Sequence, residues 1–360
     1  MAKRVLVFGV HNKVGGVETY MRNLVANVPE VRFDFVSYYS KLCYEHEYVD
    51  AGGSIFRVPD FHSSPVGYYK AIRKILVANN YDAVYYNMLS GANILPIIAA
   101  RTSHVGAIIA HSHNAGTPSK FVKAPLNLMN RIFINRLVSA RWSCSIEAAN
   151  FLYGRNEGIE IIPNAVDANR FQYDLDLRST ERERLDVSND TFLVGSVGRF
   201  SQQKNPLRLI RLFAEFHHVQ PNSKLALVGT GEMEEQIRDE VRILQLDDDV
   251  VFEGNRMDVE AAYNSFDFLL LPSFFEGLPI ALIEAQACGL PFIASDAISK
   301  ASRIGDSSGM FLPLEQSDAY WSTFIRKASD QDRTASSSRF KSSMWNIDNQ
   351  IPKLKQLFGV

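Results

Sequence analysis

Phe275-Glu276-Gly277-Leu278-Pro279-Ile280-Ala281-Leu282-Ile283-Glu284 follows directly on an apolar run, residues 267–271, that ends at Pro272-Ser273. An apolar strand, a turn with glycine and proline, and an apolar helix together make one βα unit of a parallel sheet. The pattern predicts a helix over 279–288 with proline in its first turn. The two glutamates are eight residues apart, slightly more than two helical turns. A helix covering most of this span would turn both carboxylates to one side, one at its mouth and one about 10 Å along. Its first turn offers free N–H groups and the positive end of the helix dipole, a seat for phosphate. A diphosphate flanked by hydroxyl-binding carboxylates is the chemistry of a nucleotide-sugar site. Ile280 to Cys288 is nearly all apolar, so Glu284 must be paired or used, because a buried carboxylate is costly.

The same alternation of short apolar runs and amphipathic stretches extends in both directions. Strands are predicted at 4–9, 32–36, 54–58, 83–86, 106–110, 141–144 and 159–162, with helices at 16–27, 66–79, 92–101, 121–139 and 146–153. A polar stretch, residues 170–190, then suits a linker and one helix. Strands resume at 192–198, 224–228, 250–253, 267–271 and 291–294, with helices at 206–218, 232–245 and 258–265. At 360 residues the chain exceeds one typical core. Two consecutive doubly wound α/β domains are expected, residues 1–168 and 169–340, with a ligand cleft between them at the strand C-terminal ends. An amphipathic helix in 341–360 is expected to pack back on the first domain.

Composition narrows the classes. Hydrophobic residues at 46% and charged residues at 22% are those of an ordinary globular protein. The formal net charge of −2 argues against a nucleic-acid binder. Cys43, Cys144 and Cys288 are dispersed in apolar or helical context and suit reduced packing residues rather than a disulfide or metal framework. The first apolar run is too short for a signal peptide, and no window approaches a transmembrane span. These features suit a cytoplasmic protein.

Arg199 and Lys204 lie in Gly198-Arg199-Phe200-Ser201-Gln202-Gln203-Lys204-Asn205-Pro206, between a predicted strand and a helix that Pro206 starts. Two cations at a strand end can neutralise a diphosphate, arginine as a fork and lysine as a point charge. Gly15-Gly16 in the first strand–helix loop would let backbone approach a ligand, or form a simple turn. They are not a dinucleotide fingerprint. Gly229 and Gly231 form a similar loop, which either ligand approach or packing explains. Asp174-Leu175-Asp176 has the D-x-D form of metal-dependent transferases but falls in the linker. No metal is expected, since two cations already answer the leaving-group charge.

Gly198-Arg199-Phe200 with Lys204-Asn205, and Glu276-Gly277-Leu278-Pro279 with Glu284, resemble the retaining GT-B glycosyltransferases of glycosyltransferase family 4. Gly15-Gly16-Val17-Glu18 looks like that family's first glycine loop, and Ile162-Pro163-Asn164-Ala165-Val166-Asp167 like its interdomain strand. His111-Ser112-His113-Asn114 after a strand is similar to a branch making capsular or exopolysaccharide. The resemblance spans nearly the whole chain. It implies a GT-B fold, two Rossmann-like domains facing a central cleft. Arg199 and Lys204 would then hold the donor diphosphate, with Gly15, Gly16, Gly277 and Leu278 also in the donor site. Glu284 would bind ribose and Glu276 the transferred sugar. One of His111 and His113 would lie by the reacting carbon, with His113 favoured and His111 otherwise a packing histidine. No cofactor is implied. The implied reaction moves a hexose or N-acetylhexosamine, with retention, from a UDP-sugar to a lipid-linked oligosaccharide. A UDP-N-acetylhexosamine 2-epimerase and a non-catalytic assembly partner stay open as alternatives.

From Ala83 to Ile146 there is no aspartate or glutamate, while Arg101, Lys120, Lys123, Arg131, Arg136 and Arg141 fall within that stretch. Val122, Leu126, Met129, Phe133 and Leu137 recur at helical spacing, as a core-facing helix would have them. The basic block would suit an anionic membrane surface, with the enzyme peripheral on the inner face.

Overall fold

The computed structural model describes residues 3–114, 116, 123–276, 278–305, 309–325 and 332–360. The chain divides into two units. One holds the residues up to Ala165 together with Ile347–Val360, and the other is Val166–Asn346.

In the first unit the elements run β1 (Lys3–Phe8), α1 (Gly16–Asn27), β2 (Val31–Ser37), α2 (Glu45–Asp50), β3 (Ile55–Arg57), α3 (Pro65–Ala78), β4 (Ala83–Met88), α4 (Leu95–Thr102), β5 (Ala107–Ser112), α5 (Lys123–Leu137), β6 (Ala140–Ser143), α6 (Ile146–Tyr153) and β7 (Glu160–Ile161). The strands form one parallel sheet in the order β3-β2-β1-β4-β5-β6-β7. The strand order reverses between β1 and β4, and ligands of such sheets sit at the strand C-terminal ends beside that point. β4 is buried along its whole length, as a strand covered on both faces must be. On one face α1 contributes Val17, Tyr20, Met21 and Leu24, one stripe of a 3.6-residue period. On the other face lie Tyr68, Ile72 and Leu76 of α3, Ile97 of α4, Ile134 of α5 and Leu152 of α6.

The second unit runs α7 (Leu175–Arg184), β8 (Phe192–Val197), α8 (Pro206–Val219), β9 (Ser223–Val228), α9 (Glu234–Ile243), β10 (Val250–Gly254), α10 (Val259–Ser265), β11 (Phe268–Leu271), α11 (Ile280–Ala287), β12 (Phe292–Ser295), β13 (Gly309–Leu312), α12 (Asp318–Ile325) and α13 (Arg333–Phe340). Its parallel sheet has the order β10-β9-β8-β11-β12-β13, with the reversal between β8 and β11. Leu209, Phe213 and Phe216 of α8, Ile237 of α9 and Trp321 of α12 cover one face. Each unit is thus a Rossmann-like α/β layer structure. Elements α2, β13, α12 and α13 lie outside the set that the sequence pattern predicts.

The last helix, α14 (Ile347–Phe358), belongs to the first unit. Gln350 donates to the Pro163 carbonyl at 3.2 Å, and Leu354 joins the core beneath α1. Phe358 is buried against Phe33, Tyr85 and Trp142, with ring centroids 5.6, 6.1 and 5.4 Å away. Phe358→Ala should lower the unfolding free energy by about 3 kcal/mol, read as a lower denaturant midpoint. An unchanged midpoint would mean that α14 contributes nothing to this core.

The helix expected over 279–288 forms at Ile280–Ala287, but the condition under which both glutamates would share one of its sides is not met. The helix does not cover the span from Glu276 to Glu284. It starts at Ile280, with Pro279 as an extended cap residue at ψ 107°. Proline disfavours helical geometry at the residue before it, Leu278, so the helix cannot run back toward Glu276. Glu276 instead makes an isolated bridge to Ile298. Only Glu284 is helical.

Candidate functional site

In the second unit three strand-end loops are sewn together. After β8 the Gly198 N–H donates to Val228 at 2.9 Å, and the Phe200 N–H donates to Thr230 at 3.0 Å. Gly229 has φ +140°, and a Cβ there would lie 2.0 Å from the Gly198 carbonyl oxygen. Packing of loop against loop therefore accounts for this glycine. The loop after β8 then closes into a single 3₁₀ turn, Gln202–Lys204, and Asn205 takes a left-handed conformation before Pro206 opens α8.

The segment after β11 is tied to that turn. Asn205 Nδ2 donates to the Pro272 carbonyl at 3.1 Å. The Phe274 N–H donates to Gln203 O at 2.8 Å, and Gln203 Nε2 donates to Phe275 O at 3.0 Å. These bonds bring Lys204 Nζ to 2.5 Å from Glu276 Oε1. Among the described residues no donor is aligned on Oε1, so the contact is one of charge. Arg199, exposed, lines the same small cavity of about 20 Å³ as Lys204, Gly198, Ser196 and Ser273. The cavity opens at the ends of β8 and β11, where the strand order reverses.

Glu284 lies in the second turn of α11 and is buried. Tyr263 of α10 donates to its Oε2 at 2.9 Å. Burial pushes its carboxyl up to about 7, with the Tyr263 hydroxyl opposing that rise. Leu278 is buried beside the helix start, no side chain caps α11, and Gly277 lies outside the described residues. The arrangement combines two cations, a paired carboxylate, uncapped helix N–H groups and a carboxyl poised near neutrality. A roomier cavity of about 220 Å³, lined by Gln286, Leu290, Arg339 and Phe340 among others, contains none of these residues.

In the first unit Gly15 caps α1 and Gly16 is its first residue. Glu18 folds back across the loop, accepting from the His11 N–H at 3.0 Å and meeting His11 Nδ1 at 3.0 Å. His111 and His113, at the end of β5, have ring centroids 4.0 Å apart. His111 is fully buried, with Tyr85 Oη 2.5 Å from its Nδ1. Burial, and then the neighbouring His113, hold it well below the usual histidine range.

His113 is pushed down to about 3 by burial, with Asn164 opposing. Its tautomer follows from its neighbours. Asn87 Nδ2 donates to the Phe8 carbonyl at 3.1 Å, which turns Asn87 Oδ1 toward His113 Nε2 at 2.9 Å. Nε2 therefore carries the proton. Asn164 Oδ1 lies 3.2 Å from Nδ1 and would accept there from the protonated ring, which is why it opposes the fall.

The sequence reading brought out Arg199, Lys204, Glu276 and Glu284, and the fold gathers them in one unit. It gave no role to Gln203 and Asn205, which sew the loops, to Tyr263, which holds Glu284, or to Asn87, which orients His113. Asn205 before Pro206 was a visible signal of a helix start; the other three carry none. Asp174 of the D-x-D stretch caps α7, accepting from the N–H groups of Asp176 and Leu177 at 2.9 Å each. That role accounts for its position.

Comparison with known proteins adds the following. Residues 178–335 match the family described as glycosyl transferases group 1. A Bacillus subtilis (strain 168) protein named glycosyltransferase EpsF is 30% identical over 344 residues, covering 92% of this chain and 89% of that one. An Escherichia coli UDP-Gal:alpha-D-GlcNAc-diphosphoundecaprenol alpha-1,3-galactosyltransferase is 26% identical, covering 80% of this chain and 78% of its own. The crystal structure of Anabaena HepE with UDP and glucose superposes with a TM-score of 0.83 at 19% identity, over 99% of both chains. That likeness is one of fold, and the fold is GT-B.

Proposed function

We infer the activity from one premise: the chain belongs to the glycosyl transferases group 1 family. Within that family we read it as a retaining, metal-independent transferase. It takes a hexose or N-acetylhexosamine from a UDP-sugar and adds it to a lipid-linked diphosphate oligosaccharide during exopolysaccharide or capsule assembly, at the cytoplasmic face of a membrane. The names of the two relatives support the polymer and the acceptor, and UDP in HepE supports the donor.

The observation that carries the reading is the Lys204–Glu276 pair, 2.5 Å apart beside Arg199 at the β8/β11 reversal. In this reading the donor diphosphate draws Lys204 away from Glu276 and lies between Lys204 and Arg199. Glu276, released, accepts a hydroxyl of the transferred sugar. Glu284 accepts from the ribose hydroxyls. His113, its ring held by Asn87 through Nε2, lies by the reacting carbon of the sugar, and His111 packs behind it. The leaving phosphate takes the acceptor proton, so catalysis rests on positioning and on charge already in place.

In the presence of EDTA the protein should bind UDP and, given a UDP-sugar and a lipid-diphosphate sugar, release UDP and lengthen the acceptor. Epimerised free sugar formed without acceptor would overturn the reading. So would activity that vanishes in EDTA and returns with Mn²⁺.

A further inference from the structure

Helix α5 is built the wrong way round for a helix that covers a core. Its inward side is held by two asparagines. Asn127 Oδ1 accepts from the Gly91 N–H at 2.5 Å, and Asn130 Nδ2 donates to the Gly91 carbonyl at 2.8 Å. Asn127 Nδ2 and Arg131 donate to the Phe151 carbonyl of α6 at 3.1 and 3.0 Å. Ile134 alone among its large apolar residues is fully buried. The outward side carries Leu126, Leu128, Met129, Ile132 and Phe133, all exposed, with Leu128 63% and Ile132 56% accessible. Counted from Leu126 they fall at offsets 0, +2, +3, +6 and +7, an arc of about 160° on one side of the helix. The sequence pattern placed Leu126, Met129 and Phe133 toward a core; the structure turns them to solvent.

We propose that this face of α5 docks on an anionic lipid bilayer. The inference deepens the proposed function, resting on its lipid-linked acceptor. Charge selects the occupant. Lys123, Arg131 and Arg136 are the charged residues of α5, and no acid occurs in sequence from Ala83 to Ile146. Glu147, the next acid, lies in the first turn of α6, whereas α5 is bonded to the last turn of α6. A second copy of the same face would bring two cationic helices together with no acid in either. A bilayer instead takes the apolar residues into the acyl boundary and leaves the exposed Arg136 among the phosphates. Among the described residues no helix is long and apolar enough to cross a membrane, so the contact is one of lying on the surface. Lys120 lies outside the described residues, and the proposal does not draw on it.

The test is flotation of the whole chain with vesicles of phosphatidylcholine, with or without about one-third phosphatidylglycerol. The wild type should bind the anionic vesicles more tightly, and the difference should shrink at high salt. Arg136→Gln should weaken binding about fivefold. The triple change Leu128→Ser, Ile132→Ser and Phe133→Ser should weaken it at least about tenfold. All three side chains face solvent, so thermal midpoint and UDP affinity should stay as in the wild type. Equal binding by the wild type and the triple variant overturns the proposal. So does a wild type that ignores vesicles; if it is then a dimer and the triple variant a monomer, a second copy covers the face. The measurement uses neither donor nor acceptor, so failure of the transferase reading is seen separately.

Discussion

Lys204→Met should weaken UDP binding by roughly a hundredfold and lower transfer by roughly a thousandfold. The methionine keeps the length and loses the charge that the leaving diphosphate needs. The loss should be accompanied by a fall in ligand-free stability of about 1–2 kcal/mol, because Glu276 is left buried without its cation. Adding Glu276→Gln to Lys204→Met should restore that stability while transfer stays lost. The pair is then seen as two separate things, a structural neutralisation in the empty site and a donor contact in the filled one. Calorimetry with UDP decides the matter. An affinity unchanged by Lys204→Met would remove this residue from the donor site.

Glu284→Gln should weaken UDP binding by about a hundredfold and yet make the ligand-free protein more stable. The sign follows from the raised carboxyl, at about 7 in the folded chain against about 4.3 when unfolded. Below the unfolded value both states hold the proton, and the group contributes no pH dependence. Between the two values the unfolded chain releases its proton and the folded chain keeps it, so stability falls as pH rises. The full loss, about 3–4 kcal/mol, is reached above pH ~7. Glutamine has no such step and still accepts from Tyr263. The variant should therefore match the wild type near pH ~4.5 and exceed it increasingly up to pH ~8, as measured by denaturant melts. Ribose hydroxyls favour the ionised carboxylate, so wild-type UDP affinity should fall as the pH drops below neutral. A flat difference between the two proteins across this range would refute the buried-carboxyl account.

The residues readable in advance were those whose role is local. α1 and α6 occupy their predicted limits, 16–27 and 146–153, because a glycine or a capping serine opens each, and Gly154 in a left-handed conformation closes the second. The polar helix α13, with Thr, Ala and three serines in succession, carries no apolar period, and β13 is four residues long. Neither gives a periodic signal strong enough to read. The Lys204–Glu276 contact spans 72 positions of sequence and depends on Gln203 and Asn205 bonding across loops. Spacing within one segment cannot reveal that. Helix α5 shows the converse limit. Its period was legible and its side was not, because two asparagines with specific carbonyl and N–H partners outweighed the apolar stripe in choosing which face turns inward.

The return of α14 sets an order on biogenesis. A ribosome completes the first sheet at β7, but Ile347, Leu354 and Phe358 of the same core are not translated until all of Val166–Asn346 has been made. Until then Phe33, Tyr85 and Trp142 lack the ring that covers them. The later-coded unit is contiguous and can close by itself, whereas the earlier-coded one waits for the last helix. The first unit to emerge is therefore the last to be finished.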